Sequence, residues 1–133
     1  MIYPYQFRLG NLINSSNGPA EIVSISKEAV VAQYMTESGV VMFSVNIISV
    51  EPIPLTEEWL LKLGWVWNEE CNSYEKYPNG DARMHLSKSM LGSYTMFNYV
   101  IGATIAERLN YVHQLQNLYF ALTGEELKVK EMA

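Results

Sequence analysis

The chain has 133 residues, of which 49% are hydrophobic and 17% charged, and its formal net charge is −5. That length suits one domain or two very small ones, and a chain this apolar can offset the entropy that folding costs, which excludes intrinsic disorder. The chemical inventory is small. Two histidines and one cysteine are too few for a zinc cage of Cys and His, so no metal, cofactor or catalytic residue is predicted.

The compartment follows from the cysteine content and from the lack of long apolar runs. Cys71 is the single cysteine and cannot form an internal disulfide. The N-terminal residues lack the pattern of a signal peptide, and the longest apolar runs are far shorter than the ~20 residues of a membrane helix. We therefore expect a soluble, cytoplasmic protein that does not bind membranes. Its acidic charge makes a nucleic-acid partner unfavourable.

Residues 1–52 predict several short strands separated by turns. The turn cluster Asn14–Pro19 follows the first strand, and the later strands are rich in Val and Ile. The predicted strands are Phe7–Ile13, Ala20–Ser26, Ala29–Met35, Val40–Val45 and Ile47–Glu51. A flat sheet of such strands would leave long edges unprotected, which favours a small, strongly bent barrel or half-barrel. We predict a small β-barrel of the Src-homology or Tudor-like type.

A helix is predicted after the stiff, proline-containing connector Glu51–Leu55. Thr56 is a suitable N-cap, and the helix dipole favours the acids that follow it. Glu58 and Lys62 are spaced to pair at i, i+4, and Gly64 fits the position after the end. We expect a division here between a barrel subdomain, 1–52, and an α+β subdomain, 53–133, packed together as one compact unit.

The second subdomain is predicted to contain an antiparallel sheet followed by a C-terminal helix, which gives an α+β fold class. In the hairpin around Pro78–Gly80, opposite charges favour a register that pairs Glu75 with Arg83 over one that pairs Lys76 with Arg83. The apolar periodicity after Asn110 predicts the final helix. Residues 87–109 are open between a loop, strands and a first helical turn.

Two segments, Val50–Trp65 and Tyr111–Leu127, resemble a family of small uncharacterised proteins that is common in genomes and prophage-like elements of gut Bacteroidales bacteria. The opening Phe7–Ile13 is similar to the usual start of that family. The resemblance suggests an accessory, phage-related role, and it implies no activity, cofactor or catalytic residue.

The candidate binding residues are His113, Gln116 and Phe120 on the last helix, and Trp65 and Trp67 after the first helix. The helical residues form a polar ridge for a partner, or else His113 bonds to the sheet beneath while Gln116 satisfies backbone groups. The tryptophans either fill the core or, for one of them, reach the surface.

Three other residues have both a chemical and a structural interpretation. Glu75 and His85 share a predicted strand face and could form an acid–base pair, although a solvated sheet face explains them more simply. Cys71 follows two glutamates, which disfavour a thiolate, and is interpreted as an incidental turn residue.

The functional prediction is a non-enzymatic module that interacts with a protein partner. The first alternative is a nucleic-acid-binding small barrel, which the net charge of −5 opposes. The second is a small hydrolase-like enzyme using His85 or His113. The sequence leaves the ligand and the oligomeric state open.

Overall fold

The computed structural model describes residues 7–76, 84–90, 92–98 and 103–129. Over these ranges the chain is mostly β, with two antiparallel sheets and two α-helices. Contacts divide it into two compact units, and each is described by itself. The first unit comprises Met1–Pro54 and Tyr111–Leu122, and the second comprises Leu55–Asn110 and Thr123–Ala133. The packing of the predicted subdomains 1–52 and 53–133 against each other stays a prediction.

The first unit contains a sheet whose strand order is β4-β3-β2-β1-β5. Its strands are β1 (Leu12–Ser15), β2 (Gly18–Ile25), β3 (Ala29–Thr36), β4 (Gly39–Asn46) and β5 (Glu51–Pro52). A short 3₁₀ helix, Ile47–Ser49, separates the last two, and the Asn46 side chain caps it by accepting from the backbone N–H of Ile48 at 3.1 Å. The predicted extended piece at 47–51 is therefore mostly helical.

The prediction of a closed N-terminal barrel is wrong. Within the described residues β4 and β5 are the two edges of an open sheet, and neither pairs with the other. The strand that would close the barrel has only two residues, and both pair with β1, as Asn14 with Glu51 and Ile13 with Pro52. Pro52 has no N–H to donate, so the strand cannot continue as part of a ladder. The α+β fold class fits only in part, because strands dominate.

The core of the first unit lies against one face of this sheet. Alternation along β2 and β3 buries every second side chain, which is the pattern of a strand with one solvated face. The buried residues are Phe7, Ile13, Ala20, Ile22, Val30, Ala32, Ile47 and Val50. The opposite face carries exposed apolar side chains near the turn of the β3–β4 hairpin, namely Met35, Val40 and Met42.

The helix α2 (Val112–Thr123) also belongs to the first unit, except for its last residue. Its backbone is anchored at the start, where the N–H of Val112 donates to the carbonyl of Ile53 at 2.8 Å. Val112, Leu115 and Tyr119 are buried, as the helical periodicity predicted, whereas Leu122 is 44% exposed.

The second unit begins with α1 (Glu57–Lys62), whose signals in the sequence are all present. Thr56 caps the helix by accepting from the N–H of Trp59 at 3.3 Å, and Glu58 pairs with Lys62 at 3.2 Å. Gly64 has a φ of +89°, the left-handed conformation that ends the helix.

The second sheet has the strand order β10-β9-β8-β7-β6. Its strands are β6 (Val66–Asn68), β7 (Ser73–Lys76), β8 (Met84–Lys88), β9 (Tyr94–Asn98) and β10 (Ala103–Leu109). The segment that the sequence left open at 87–109 thus contains β9 and β10.

The predicted register of the β7–β8 hairpin is wrong by two residues. The structure pairs Glu75 with His85 and Tyr74 with Leu86, whereas the sequence favoured Arg83 and Met84 as their partners. The turn itself and Arg83 lie outside the described residues. Because the shift is even, each side chain of β7 and β8 stays on its predicted face.

Candidate functional site

A cleft of about 520 Å³ is lined from both edges of the first sheet. Residues of β4 form one part of its wall, and residues of β1 and β5 form another. The β1–β2 turn, one residue of β3 and the end of the 3₁₀ helix contribute the rest. We call it the edge cleft. The described residues that line it are Ile13, Asn14, Ser15, Ser16, Asn17, Tyr34, Phe43, Ser44, Val45, Ser49, Val50 and Glu51.

The apolar wall of the edge cleft is continuous with the core. Tyr34, Phe43 and Val45 are half-buried and pack against the core cluster. The rings of Tyr34 and Phe43 are tilted at 51° with their centroids 6.1 Å apart. The Asn17 amide donates to the Tyr34 hydroxyl at 2.7 Å. This bond fixes the polar end of the ring, so the apolar wall is preorganised.

The rest of the lining is polar and small. The Ser15 hydroxyl donates to the Gly18 carbonyl at 2.7 Å and accepts from the Asn17 N–H at 3.2 Å, which holds the turn in place. Glu51 is the single formally charged residue among the described residues of the lining. The described residues of the lining include four serines and no histidine or cysteine. The apolar wall and the small polar side chains are typical of a binding cleft.

Two of the predicted binding residues, His113 and Gln116, are buried inside the first unit. Gln116 accepts from the N–H of Leu12 at 2.9 Å and donates to the carbonyl of Gly10 at 3.3 Å, the backbone role that the structural alternative predicted. His113 lies between aromatic rings, with its centroid 4.5 Å from that of Phe7. Neither of its ring nitrogens has a hydrogen-bond partner among the described residues. Burial lowers the pKa of His113 to about 4, so it is neutral at pH 7.

Phe120, the third predicted residue on α2, is 38% exposed. The guanidinium of Arg8 lies over its ring, 4.3 Å from the centroid. Arg8 also donates from Nε to the Asn117 side chain at 3.1 Å, and Asn117 accepts from the Asn11 amide at 2.7 Å. A hydrogen-bonded cation therefore covers part of the Phe120 ring.

The two predicted tryptophans have different surroundings, although they were expected to share a face. Trp65 is 1% exposed, and its indole N–H has no partner among the described residues. Trp67 is 44% exposed and meets the Tyr74 ring edge-on at 4.9 Å. One of the two thus reaches the surface. Binding of a partner by any of the five candidate residues stays a prediction.

A second group of reactive side chains lies in the second unit. Cys71, Glu75 and His85 bring one donor atom each to within 4.8 Å of one another. Glu75 is 7% and His85 1% exposed, so the expectation of a solvated strand face is wrong. The alternation of side chains along the two strands correctly placed Ser73, Glu75 and His85 on one face. The burial of that face was not predicted.

Tyr74 and Tyr94 are the titratable groups on the other face of this sheet. Burial raises the pKa of Tyr74 well above its usual value, and a hydrogen bond from its hydroxyl to the Glu57 carboxylate adds to the effect. Burial and the charge of Glu57 also raise the pKa of Tyr94. Both phenols stay neutral at pH 7, and the Tyr74 hydroxyl acts as a donor to Glu57.

Comparisons with family models, with curated proteins and with solved structures find no match to this chain. The resemblance to the gut Bacteroidales family, and with it the phage-related role, therefore stays a prediction. Of the helices in the described residues, neither is long and apolar enough to cross a membrane.

Proposed function

We propose that the chain is a non-enzymatic interaction module that binds an extended segment of a partner protein in the edge cleft. The observation that carries the proposal is that both edge strands of the open sheet line this cleft. An edge strand directs unpaired backbone N–H and C=O groups outwards, and an added strand can satisfy them. The eight residues of β4 are long enough to template such a strand.

The lining indicates the chemistry of the segment. A strand beside β4 directs alternate side chains to the same face, so every second residue would meet Phe43 and Val45. These positions favour apolar side chains. The serine and asparagine side chains of the lining can bond to the backbone of the segment. Glu51 favours a lysine or arginine at the end near β5.

The alternatives fit the described residues less well. A nucleic-acid-binding barrel requires the barrel that is absent from the described residues, and a cleft carrying Glu51 on a chain of net charge −5 repels phosphates. A hydrolase using His113 would need a histidine that meets solvent, whereas His113 is fully buried. Because the chain contains a lone cysteine, we place the module in the reducing cytoplasm.

A peptide screen followed by a cleft variant tests the proposal. We expect a randomised peptide library to yield binders with alternating apolar residues and at least one basic residue. Ser49 is exposed and lines the cleft, so Ser49→Lys adds a long cation there without disturbing the core. We expect this substitution to lower the affinity for the selected peptide by about tenfold or more, and tenfold is equivalent to about 1.4 kcal/mol.

The matched control is Ser87→Lys, which makes the same change at an exposed strand serine of the second unit. It should leave the affinity unchanged. Amide chemical shifts in the labelled protein should move at β4 and at the β1–β2 turn when the peptide is added. Equal affinities for Ser49→Lys and Ser87→Lys, or shift changes confined to the second unit, would refute the edge cleft as the binding site.

A further inference from the structure

The second unit brings three different metal-ligand types together. Cys71 lies in the exposed turn between β6 and β7, Glu75 lies on β7, and His85 is directly opposite it on β8. Their donor atoms, one thiol sulfur, one carboxylate oxygen and one ring nitrogen, are all within 4.8 Å of one another. Two of these three side chains are more than nine-tenths buried.

Neighbouring side chains orient the two buried donors toward each other. Ser73 Oγ is 3.1 Å from His85 Nδ1, which leaves Nε2 facing Glu75 Oε2 at 3.6 Å. The Asn68 amide donates to the other carboxylate oxygen, Oε1, at 2.8 Å. Bonds of this kind, from outer residues to ligating histidine and carboxylate groups, fix ligand orientation in metal sites.

Asn68 also positions the turn that carries Cys71. Its carbonyl oxygen accepts from the backbone N–H of Glu70 at 2.9 Å, while its amide group bonds to Glu75. Asn72, the residue after the cysteine, has a φ of +55°, a left-handed conformation that asparagine tolerates. One side chain thus connects the turn of Cys71 to the carboxylate of Glu75.

We propose that Cys71, Glu75 and His85 together bind one divalent transition-metal ion, Zn²⁺ in preference to Mg²⁺ or Ca²⁺, and leave a fourth position open to water. Ligands of a tetrahedral zinc ion, at bonds of about 2.0 to 2.2 Å, are separated from each other by about 3.4 Å. The Nε2–Oε2 separation of 3.6 Å already matches this value. A shift of about 1 Å in the exposed turn would bring the Cys71 sulfur to the separation from the other two donor atoms that zinc requires.

The donor set selects the metal. Mg²⁺ and Ca²⁺ take oxygen ligands, whereas sulfur and imidazole nitrogen favour Zn²⁺ and its neighbours in the first transition row. Thiolate and carboxylate supply two negative charges, which balance the divalent ion. The counting of Cys and His in the sequence missed this site because it left carboxylate ligands out.

Titration of the metal-free protein with Co²⁺ and Zn²⁺ tests the proposal. We expect one equivalent of Co²⁺ to give a thiolate-to-cobalt charge-transfer band and the strong visible absorption of tetrahedral coordination, and Zn²⁺ to abolish both. Cys71→Ser, Glu75→Gln and His85→Gln should each weaken binding at least 100-fold. Asn68→Ala, which removes only the positioning bonds, should weaken it by about 10- to 100-fold.

Two matched controls remove the same chemistry outside the cluster. Glu70→Gln changes the acid next to Cys71, and His113→Gln changes the other histidine, so both should bind metal as the wild type does. If His85→Gln does not fold, Cys71→Ser decides the question, because its position is exposed. Absence of saturable binding by the wild type, octahedral cobalt spectra, or equal affinity in Cys71→Ser would overturn the site.

Discussion

The burial of His113 makes the stability of the first unit depend on pH between 4 and 7. The pKa of this histidine is lowered from 6.5 to about 4 by burial. Below pH 6.5 the unfolded chain binds a proton at this residue that the folded chain does not bind until the pH approaches 4. Stability is therefore complete above pH 6.5 and is lost as the pH falls toward 4.

The two pKa values set the magnitude. Between pH 7 and pH 5 the difference in proton binding at His113 lowers the free energy of unfolding by about 2 kcal/mol, and the full loss by pH 4 approaches 3 kcal/mol. In His113→Phe this contribution is absent. Phenylalanine suits the space between the rings of Phe7 and Tyr111, and it removes two buried nitrogens without partners among the described residues. We expect the variant to be at least as stable as the wild type at pH 7.

Urea denaturation followed by tryptophan fluorescence measures this difference. At pH 8 and pH 7 the two proteins should keep a constant difference in unfolding free energy. At pH 5 the wild type should have lost about 2 kcal/mol relative to His113→Phe, a shift in midpoint of about 1 M urea. Acidic groups titrate equally in both proteins and cancel in the comparison. Parallel loss of stability from pH 7 to pH 5 would show that His113 is not held neutral in the folded state.

Three further predictions concern the interior and one turn. Gln116→Leu removes two hydrogen bonds to partly buried backbone groups and should cost about 1 to 3 kcal/mol in urea denaturation, whereas Phe120→Leu on the exposed side of the same helix should cost under 1 kcal/mol. Tyr74 should not ionise at pH 10 to 11 in an absorbance titration of the folded protein. Its raised pKa adds stability below pH 10 that is lost at higher pH, and Tyr74→Phe should abolish that part of the loss. Gly64→Ala should lower stability by about 1 to 2 kcal/mol in thermal denaturation, because φ is +89° there, whereas the flexible end of Lys76 can move away from the new methyl group. A cost near zero would contradict the left-handed end of α1.

Local signals in the sequence predicted the elements well. The cap at Thr56, the pair of Glu58 with Lys62 and the terminal Gly64 lie within a few residues of one another, and all three are present as predicted. Such features depend only on neighbouring residues, so the sequence contains all the information that they need. The same holds for the strands β2, β3 and β4, which were predicted from their content of Val and Ile.

Long-range pairing could not be predicted in the same way. Whether β5 pairs with β1 alone or also closes on β4 depends on the curvature of the whole sheet, so the barrel was wrongly predicted and the edge cleft was missed. The register of the hairpin was predicted from the charges of Glu75 and Arg83, and the burial of these strands was not considered. The structure instead buries Glu75 opposite His85. Of the predicted site residues, the environment of Gln116 was foreseen as one of two alternatives.

Because α2 belongs to the first unit, this unit cannot finish folding until late in synthesis. Gln116 and Asn117 bond to Gly10, Asn11 and Leu12, across more than a hundred residues of chain. The ribosome must therefore make the Leu55–Asn110 part of the second unit before the first unit can satisfy these backbone and side-chain groups. The N-terminal sheet is synthesised first, but the groups that bond to Gln116 and Asn117 lack these partners until residue 117 leaves the ribosome. Contacts of such sequence separation form slowly. A fragment ending at Pro54 lacks these partners, so binding studies need the full chain.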